Sequence, residues 1–188
     1  MDTQVTSLTC FFPCYNDANT IGSLIAAGDT VAREFTTNYE IIVVDDCSSD
    51  NSREMLTELQ SKYPNLKLIF HKKNKGYGGA LQSGFKTASK DWIFYTDGDG
   101  QYDVFELRRL LRVLQDSIDV VNGYKISRSD PLHRIIIGNV YLKLMRILFN
   151  FGVRDVDCDF RLIRRKVFDK IELHHSSGVI CIELVKKL

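Results

Sequence analysis

The sequence predicts an α/β protein built on a mostly parallel, Rossmann-like sheet with helices on both faces. Three observations carry this. Four apolar runs rich in β-branched and aromatic residues alternate with segments of helical periodicity. One of them, Glu40-Ile41-Ile42-Val43-Val44, is nearly continuous, the signature of a strand covered on both faces. Finally, each run is followed by a cluster of polar residues, and in such sheets ligands sit outside the carboxyl ends of the strands.

In order, Leu8-Thr9-Cys10-Phe11-Phe12 reads as a strand stopped by Pro13, which cannot donate to a ladder. Pro13 to Thr20 is a loop dense in turn formers and caps, and residues 20–35 follow as an amphipathic helix. The second strand, 40–44, ends in Asp45-Asp46-Cys47-Ser48-Ser49-Asp50-Asn51-Ser52, whose last residues can cap a helix at about 52–63. A third strand spans 66–71. Asn74-Lys75-Gly76-Tyr77-Gly78-Gly79 then opens a helix at about 79–89. The fourth strand, Trp92-Ile93-Phe94-Tyr95-Thr96, runs into Asp97-Gly98-Asp99-Gly100-Gln101. A helix at 104–116 and a strand at 118–123 complete this half. Beyond it come a basic loop, 124–134, and a segment at 134–151 rich in Ile, Leu, Phe and Met. That segment reads either as a core helix or as an interfacial helix whose cations snorkel to lipid head groups. Residues 153–162 then pack three acids and two arginines together.

Size and composition admit one domain over residues 1–188, with 44% apolar and 26% charged residues. The net charge of +1 conceals an asymmetry: residues 1–123 hold 12 Lys/Arg against 17 Asp/Glu, and residues 124–188 hold 13 against 7. An acidic first part and a basic second part suit a metal and an anionic substrate at their junction, or an anionic membrane surface. The five cysteines are odd in number and lack any Cys-x-x-Cys pair, which argues against a disulfide framework and a structural zinc site and for reduced thiols. Neither a signal peptide nor a run of about 18 apolar residues is visible. The Gly-x-Gly-x-x-Gly dinucleotide turn is missing after the first strand, and the later Gly76-Tyr77-Gly78-Gly79-Ala80-Leu81 has Leu81 where its third glycine belongs. The Walker phosphate loop is absent as well.

Asp97 and Asp99, two residues apart in an extended segment, can face one point. Two carboxylates so close repel unless a proton or cation lies between them. A hard ion such as Mg²⁺ or Mn²⁺ suits them, with substrate phosphates completing its shell. Alone, the pair also reads as a solvated Asp-Gly turn.

With these residues laid out, the chain resembles family 2 glycosyltransferases of the type A fold, and among them polyprenyl-phosphate and dolichyl-phosphate glycosyltransferases. The resemblance rests on Pro13-Cys14-Tyr15-Asn16-Asp17 (where Glu is usual at Asp17), Asp45-Asp46-Cys47-Ser48, Asp97-Gly98-Asp99-Gly100-Gln101, Gly123-Tyr124-Lys125 through Arg128 and Arg134, and Asp155-Val156-Asp157-Cys158-Asp159-Phe160-Arg161. It implies inverting transfer from a UDP- or GDP-sugar to a polyprenyl phosphate. Donor binding would involve Pro13, Tyr15, Asn16, Asp17, Asp45, Asp46, Ser48, Gly76, Asp97, Gly98 and Gln101, with Mg²⁺ or Mn²⁺ at Asp97, Asp99 and Gln101. Acceptor phosphate would meet Arg128, Arg134 and Arg161. Asp99 leads the catalytic set, with Asp155, Asp157, Arg128 and Arg161; the two acids would position the arginines or supply a base.

The resemblance further implies a nucleotide-sugar half over about 1–123 and an acceptor half over about 124–188, without the family's C-terminal extension. A peripheral place on the cytoplasmic face of a membrane, self-association and no nucleic-acid partner also follow from it. Two other readings stand beside this one: transfer to a sugar hydroxyl in surface polysaccharide synthesis, and a non-catalytic nucleotide-sugar-binding module.

Overall fold

The computed structural model describes residues 5–124 and 158–188. The elements run β1 (Leu8–Cys14), α1 (Ile21–Phe35), β2 (Tyr39–Asp45), α2 (Ser52–Lys62), β3 (Leu66–Phe70), α3 (Gly76–Thr87) and β4 (Trp92–Thr96). A 3-10 turn at Val104–Glu106 leads into α4 (Leu107–Arg112), β5 (Val120–Asn122), β6 (Phe160–Arg164), a second 3-10 turn (Arg165–Asp169) and a last helix, α5 (Val179–Lys187). The sheet order is β3-β2-β1-β4-β6-β5. The pairs from β3 to β4 are parallel, and β6 runs antiparallel to both of its neighbours.

Alternation along the strands divides the core. Cys10 and Phe12 of β1 join Ile41, Val43 and Phe94 on one face, under Ile21 and Ile25 of α1, Leu56 of α2 and Leu107 of α4. Phe11 joins Ile42, Val44, Ile93 and Tyr95 on the other, under Leu81 and Phe85 of α3 and Ile180 and Leu184 of α5. Successive side chains of a strand point to opposite faces, so the apolar run of β2 supplies both layers at once.

Several boundaries differ from the sequence expectations. Pro13 does not stop β1, which continues to Cys14 with Pro13 opposite Val44. The register between β1 and β4 ends at Phe11 opposite Tyr95. Beyond that point β1 is paired on one side only, where a missing N–H is tolerated. The helix expected at 104–116 is a short 3-10 turn followed by six residues of α-helix. Residues 160–162, expected in an acceptor-side loop, begin a strand, 160–164, inserted between β4 and β5. Phe160, Leu162 and Ile163 are buried there, enough apolar surface to hold a sheet position.

Arg161 is carried into the interior by this strand, with 0% exposure. Its Nη1 donates to the Tyr95 hydroxyl and to Asp159 Oδ1 (2.8 Å), and its Nε donates to Asn122 Oδ1 (2.6 Å). Asp159 also accepts from the Tyr95 hydroxyl (3.2 Å) and faces the Cys181 thiol of α5 (3.3 Å). A buried charge needs such pairing, because water no longer solvates it.

The stretch between β6 and α5 folds back over the start of α3. Gly78 donates its N–H to the Ser176 carbonyl at 2.8 Å, and a Cβ on Gly78 would lie 2.1 Å from the His175 carbonyl oxygen. The glycines that open α3 thus admit a neighbouring backbone, a packing role. Glu183 of α5 holds the segment in place by accepting the N–H groups of His174 and His175 and by meeting Lys187 Nζ at 2.6 Å. Burial raises the Glu183 pKa, but Lys187 and the two amides outweigh it and bring the carboxyl from 4.5 down to about 2.

Two outcomes follow. Arg161→Ala leaves the Asp159 charge uncompensated in the interior, and chemical denaturation should show a loss of about 3–5 kcal/mol. An Arg161→Ala protein of unchanged stability would remove the ion pair from the fold's supports. For Glu183 the folded-state pKa lies below the unfolded one, so its stabilisation is complete above 4.5 and is lost as pH falls toward 2. The drop in urea midpoint between pH 7 and pH 3 should therefore be smaller in Glu183→Gln than in the parent chain.

Candidate active site

The order β3-β2-β1-β4 places α1 and α2 on one face and α3 on the other, so the chain reverses its winding between β1 and β4. A crevice opens at such a switch point. Here it is a cleft of ≈ 360 Å³, lined by Pro13, Cys14 and Tyr15 at the end of β1, Asp17, Asp46 after β2, Asn74, Gly76, Tyr77 and Ala80 at the start of α3, and Asp97, Gly98 and Asp99 after β4.

Local geometry fixes each wall. The ladder continues past the strand ends, with Asp46 N–H donating to the Cys14 carbonyl (2.9 Å) and His71 N–H to the Asp45 carbonyl (2.9 Å). Cys47 then adopts a positive φ of 66°, a turn that returns the Ser48 N–H to the Asp45 carboxylate. Asn16, also at positive φ (60°), accepts the Ser49 N–H on its side-chain oxygen at 2.7 Å, and its own N–H donates to the Ser48 hydroxyl at 2.9 Å. The Asn16 and Cys47 turns therefore lock the first two loops together. The third is tied to α1 by the Thr20 hydroxyl, which donates to the Gly98 carbonyl at 2.6 Å. A Cβ on Gly98 would come within 2.3 Å of the Pro13 carbonyl oxygen, so only glycine lets these loops approach.

Four carboxylates reach the cleft. Asp99 is exposed and accepts the Gln101 N–H at 3.0 Å. Asp97 accepts the Tyr77 hydroxyl at 2.5 Å. Burial, together with Asp159 and Asp97 nearby, raises the Tyr77 pKa, so the phenol keeps its proton and donates. Asp17 accepts the Tyr15 N–H at 2.9 Å. Its pKa is raised, first by burial and then by the Asp99 and Asp50 charges, while the Tyr15 amide opposes the shift. Asp46 is buried and accepts from His71 Nδ1 (2.6 Å) and the Lys75 N–H (2.8 Å).

The donor set fits a hard divalent ion. Asp97 and Asp99 offer oxygen, and a cation between them would relieve the repulsion of two such close carboxylates, which the Asp99 charge also exerts on the part-buried Asp17. Among the described residues no three His, Cys, Asp or Glu side chains form a cage for a metal. Mg²⁺ characteristically takes one or two carboxylates and completes its shell with substrate phosphates and water, so the absence of a cage is compatible with it.

Of the residues singled out from sequence, Pro13, Tyr15, Asp17, Asp46, Gly76, Asp97, Gly98 and Asp99 come together in this cleft. Asn16 and Ser48 bind the loops to each other. Asp45 is fully buried and pairs with Arg53 at 2.5 Å, and Gln101 is exposed outside the lining. Arg161 occupies the interior position described above, with no exposed surface to offer a phosphate. Arg128, Arg134, Asp155 and Asp157, and the apolar segment 134–151, lie outside the described residues. The sequence reading passed over Tyr77 as a partner of Asp97, His71 as a partner of Asp46, and Asp159; spacing alone does not reveal contacts made between elements. No helix among the described residues is long and apolar enough to cross a membrane.

Comparison with known proteins agrees with this architecture. The family model for glycosyl transferase family 2 matches residues 9–172. The undecaprenyl-phosphate 4-deoxy-4-formamido-L-arabinose transferase of Yersinia pestis (strain Pestoides F) is 30% identical over 183 residues, covering 96% of this chain, which spans 56% of that protein's length. Among solved structures, the 1–349 fragment of TarS from S. aureus superposes with a TM-score of 0.67 at 19% identity, covering 97% of this chain and 55% of its own. A mannosyltransferase from Pyrobaculum calidifontis, solved in complex with GDP-Man and Mn²⁺, does so at 0.59 and 16% identity, covering 87% of this chain and 46% of its own. The likeness in structure shows a shared α/β fold of glycosyltransferase type A. With the family model spanning most of its length, this chain belongs to glycosyl transferase family 2.

Proposed function

We propose that the chain is the catalytic domain of an inverting, metal-assisted glycosyltransferase that moves a sugar from a UDP- or GDP-sugar to a polyprenyl phosphate. The observation that carries this reading is the cleft at the β1–β4 switch point, with Asp97 and Asp99 on one wall and Asp17 and Asp46 facing it from the first two loops. The undecaprenyl-phosphate transferase among its relatives supports the acceptor class, and the Mn²⁺ and GDP-Man in a structural neighbour support the donor and metal.

In this reading Asp46 receives a donor N–H or O–H of the nucleoside. Tyr15, 51% exposed at the mouth, offers a flat ring to the base or sugar. Asp99, with Asp97 beside it, would hold Mg²⁺ or Mn²⁺; when bound, the ion supplies positive charge where the departing diphosphate gains negative charge. Tyr77 keeps Asp97 oriented through its donated hydrogen bond. The acceptor phosphate is already anionic at neutral pH and needs no general base. Its oxygen forms the new bond to the anomeric carbon as the bond to the diphosphate oxygen breaks on the opposite side, which inverts that centre.

Two anionic substrates must be brought together against their repulsion, and arginine forks suit phosphate. Arg128 and Arg134 are assigned that work from their place in the sequence, with Asp155 and Asp157 orienting them. The assignment divides the chain into a nucleotide-sugar half before about residue 123 and an acceptor half after it. A lipid acceptor would bring this domain to a membrane surface.

Asp99→Ala should lower sugar transfer to polyprenyl phosphate by about 10²-fold or more in the presence of Mg²⁺ or Mn²⁺. The assay is radiolabelled-sugar incorporation into lipid, run against soluble sugar acceptors in parallel. Retained turnover would sink the metal assignment, transfer only to soluble sugars would move the acceptor to a hydroxyl, and tight nucleotide-sugar binding without transfer or hydrolysis would leave a binding module.

A further inference from the structure

His71 follows β3, is 4% exposed and does not line the donor cleft. It lines a separate groove of ≈ 730 Å³ on the far side of Asp46, together with Ser83 of α3. Its Nδ1 lies 2.6 Å from Asp46 Oδ1 and its Nε2 lies 2.9 Å from the Ser83 hydroxyl. A carboxylate only accepts, so Nδ1 must carry the proton in that contact. The Ser83 hydroxyl, which also lies 2.9 Å from the Gly79 carbonyl of the preceding turn, belongs to α3, so the contact at Nε2 ties the far end of the ring to that helix.

We propose that His71 is a positioning residue that fixes the Asp46 carboxylate for recognition of the donor nucleoside. Oδ1 of Asp46 is occupied by the imidazole and by the Lys75 N–H. With Oδ1 held, Oδ2 is the oxygen left to accept from a ligand, and its direction is set by a ring clamped between β3 and α3. An unclamped carboxylate would rotate about its last bond, and a ligand would have to restrict that rotation on binding. The ring's second contact makes α3 part of the clamp, so the helix whose first turn borders the cleft also orients the cleft's most buried acid.

The inference rests on the reading of Asp46 as a nucleoside contact, and the test separates the two. UDP and GDP, each with Mg²⁺, are titrated calorimetrically against the full chain, and steady-state transfer is measured with whichever sugar nucleotide is used. His71→Asn keeps a donor at the Nδ1 position, whereas His71→Gln keeps the Ser83 contact and loses the one to Asp46. Gln should weaken nucleotide affinity and raise KM by about tenfold with kcat little changed, the worth of one well-placed hydrogen bond, and Asn should restore most of it. Thermal unfolding of both variants reports whether they fold. Independently of any variant's folding, ¹⁵N-labelled histidine in the parent chain should show His71 protonated at Nδ1. Equal affinities for parent, Asn and Gln would overturn the positioning role while leaving Asp46 in place. An Asp46→Asn chain that binds both nucleotides like the parent would overturn the nucleoside contact and the clamp together, and an unprotonated Nδ1 would overturn the clamp alone.

Discussion

The parallel pairing of β1 with β4, from Leu8 opposite Trp92 to Phe11 opposite Tyr95, is the constraint on which the cleft depends. Seventy-seven residues of chain separate these strands, and the two intervening strands lie on the other side of β1. The pairing holds because Phe11 and Tyr95 are buried under α3 and α5, while Phe12 and Phe94 meet edge to face under α1. Where the pairing stops, β1 continues to Cys14 paired with β2 alone, and the Asp97–Asp99 loop swings across to meet Pro13. The crevice is the geometric consequence of that divergence.

Charge in the cleft follows from the same arrangement. Three loops, each closing a different strand, bring their acids to one place, and the fold does not neutralise all of them. Asp45 is neutralised by Arg53, Asp97 is held by the neutral Tyr77 phenol, and Asp17 is left with a pKa raised first by burial and then by the Asp99 and Asp50 charges. Unrelieved repulsion costs stability, and chains retain it where a ligand supplies the opposite charge. Support lies one layer out: the Asn16–Ser48 lock, the Thr20–Gly98 bond and the His71 ring between Asp46 and Ser83. Preorganised loops of this kind bind without having to be ordered by the ligand.

Much of this was legible in the sequence. The β-branched run of β2 and the polar clusters after each strand pointed to a doubly wound sheet and its carboxyl-end site, because strand periodicity and burial are local properties. The eight cleft residues named in advance came from motifs at strand ends. The misreadings arose where a local pattern met a tertiary circumstance. Pro13 looked like a terminator because its missing N–H is a local fact, whereas the one-sided pairing that excuses it is not. Residues 153–162 looked like a charged loop in which Arg161 would meet a phosphate, whereas Arg161 lies in β6 and is paired with Asp159. Asn74 to Gly79 read as the loop before a helix at about 79–89, whereas α3 begins at Gly76, and Gly76 and Gly78 make room for the backbone of residues 175–176.

The sequence by itself determined the α/β class, the run of alternating strands and helices over the first hundred residues, and the acids and glycines that end each strand. It could do so because side-chain period, turn chemistry and β-propensity act over a few residues. Only the tertiary structure decided which acids share a cavity, which are spent on an ion pair, and which arginine is interior. Those outcomes depend on strand order and on contacts such as Arg161 with Tyr95, sixty-six residues apart, and His71 with Asp46, twenty-five apart. The free energy of a buried charge is set by whatever lies within a few ångströms of it, and that neighbourhood exists only once the sheet has closed.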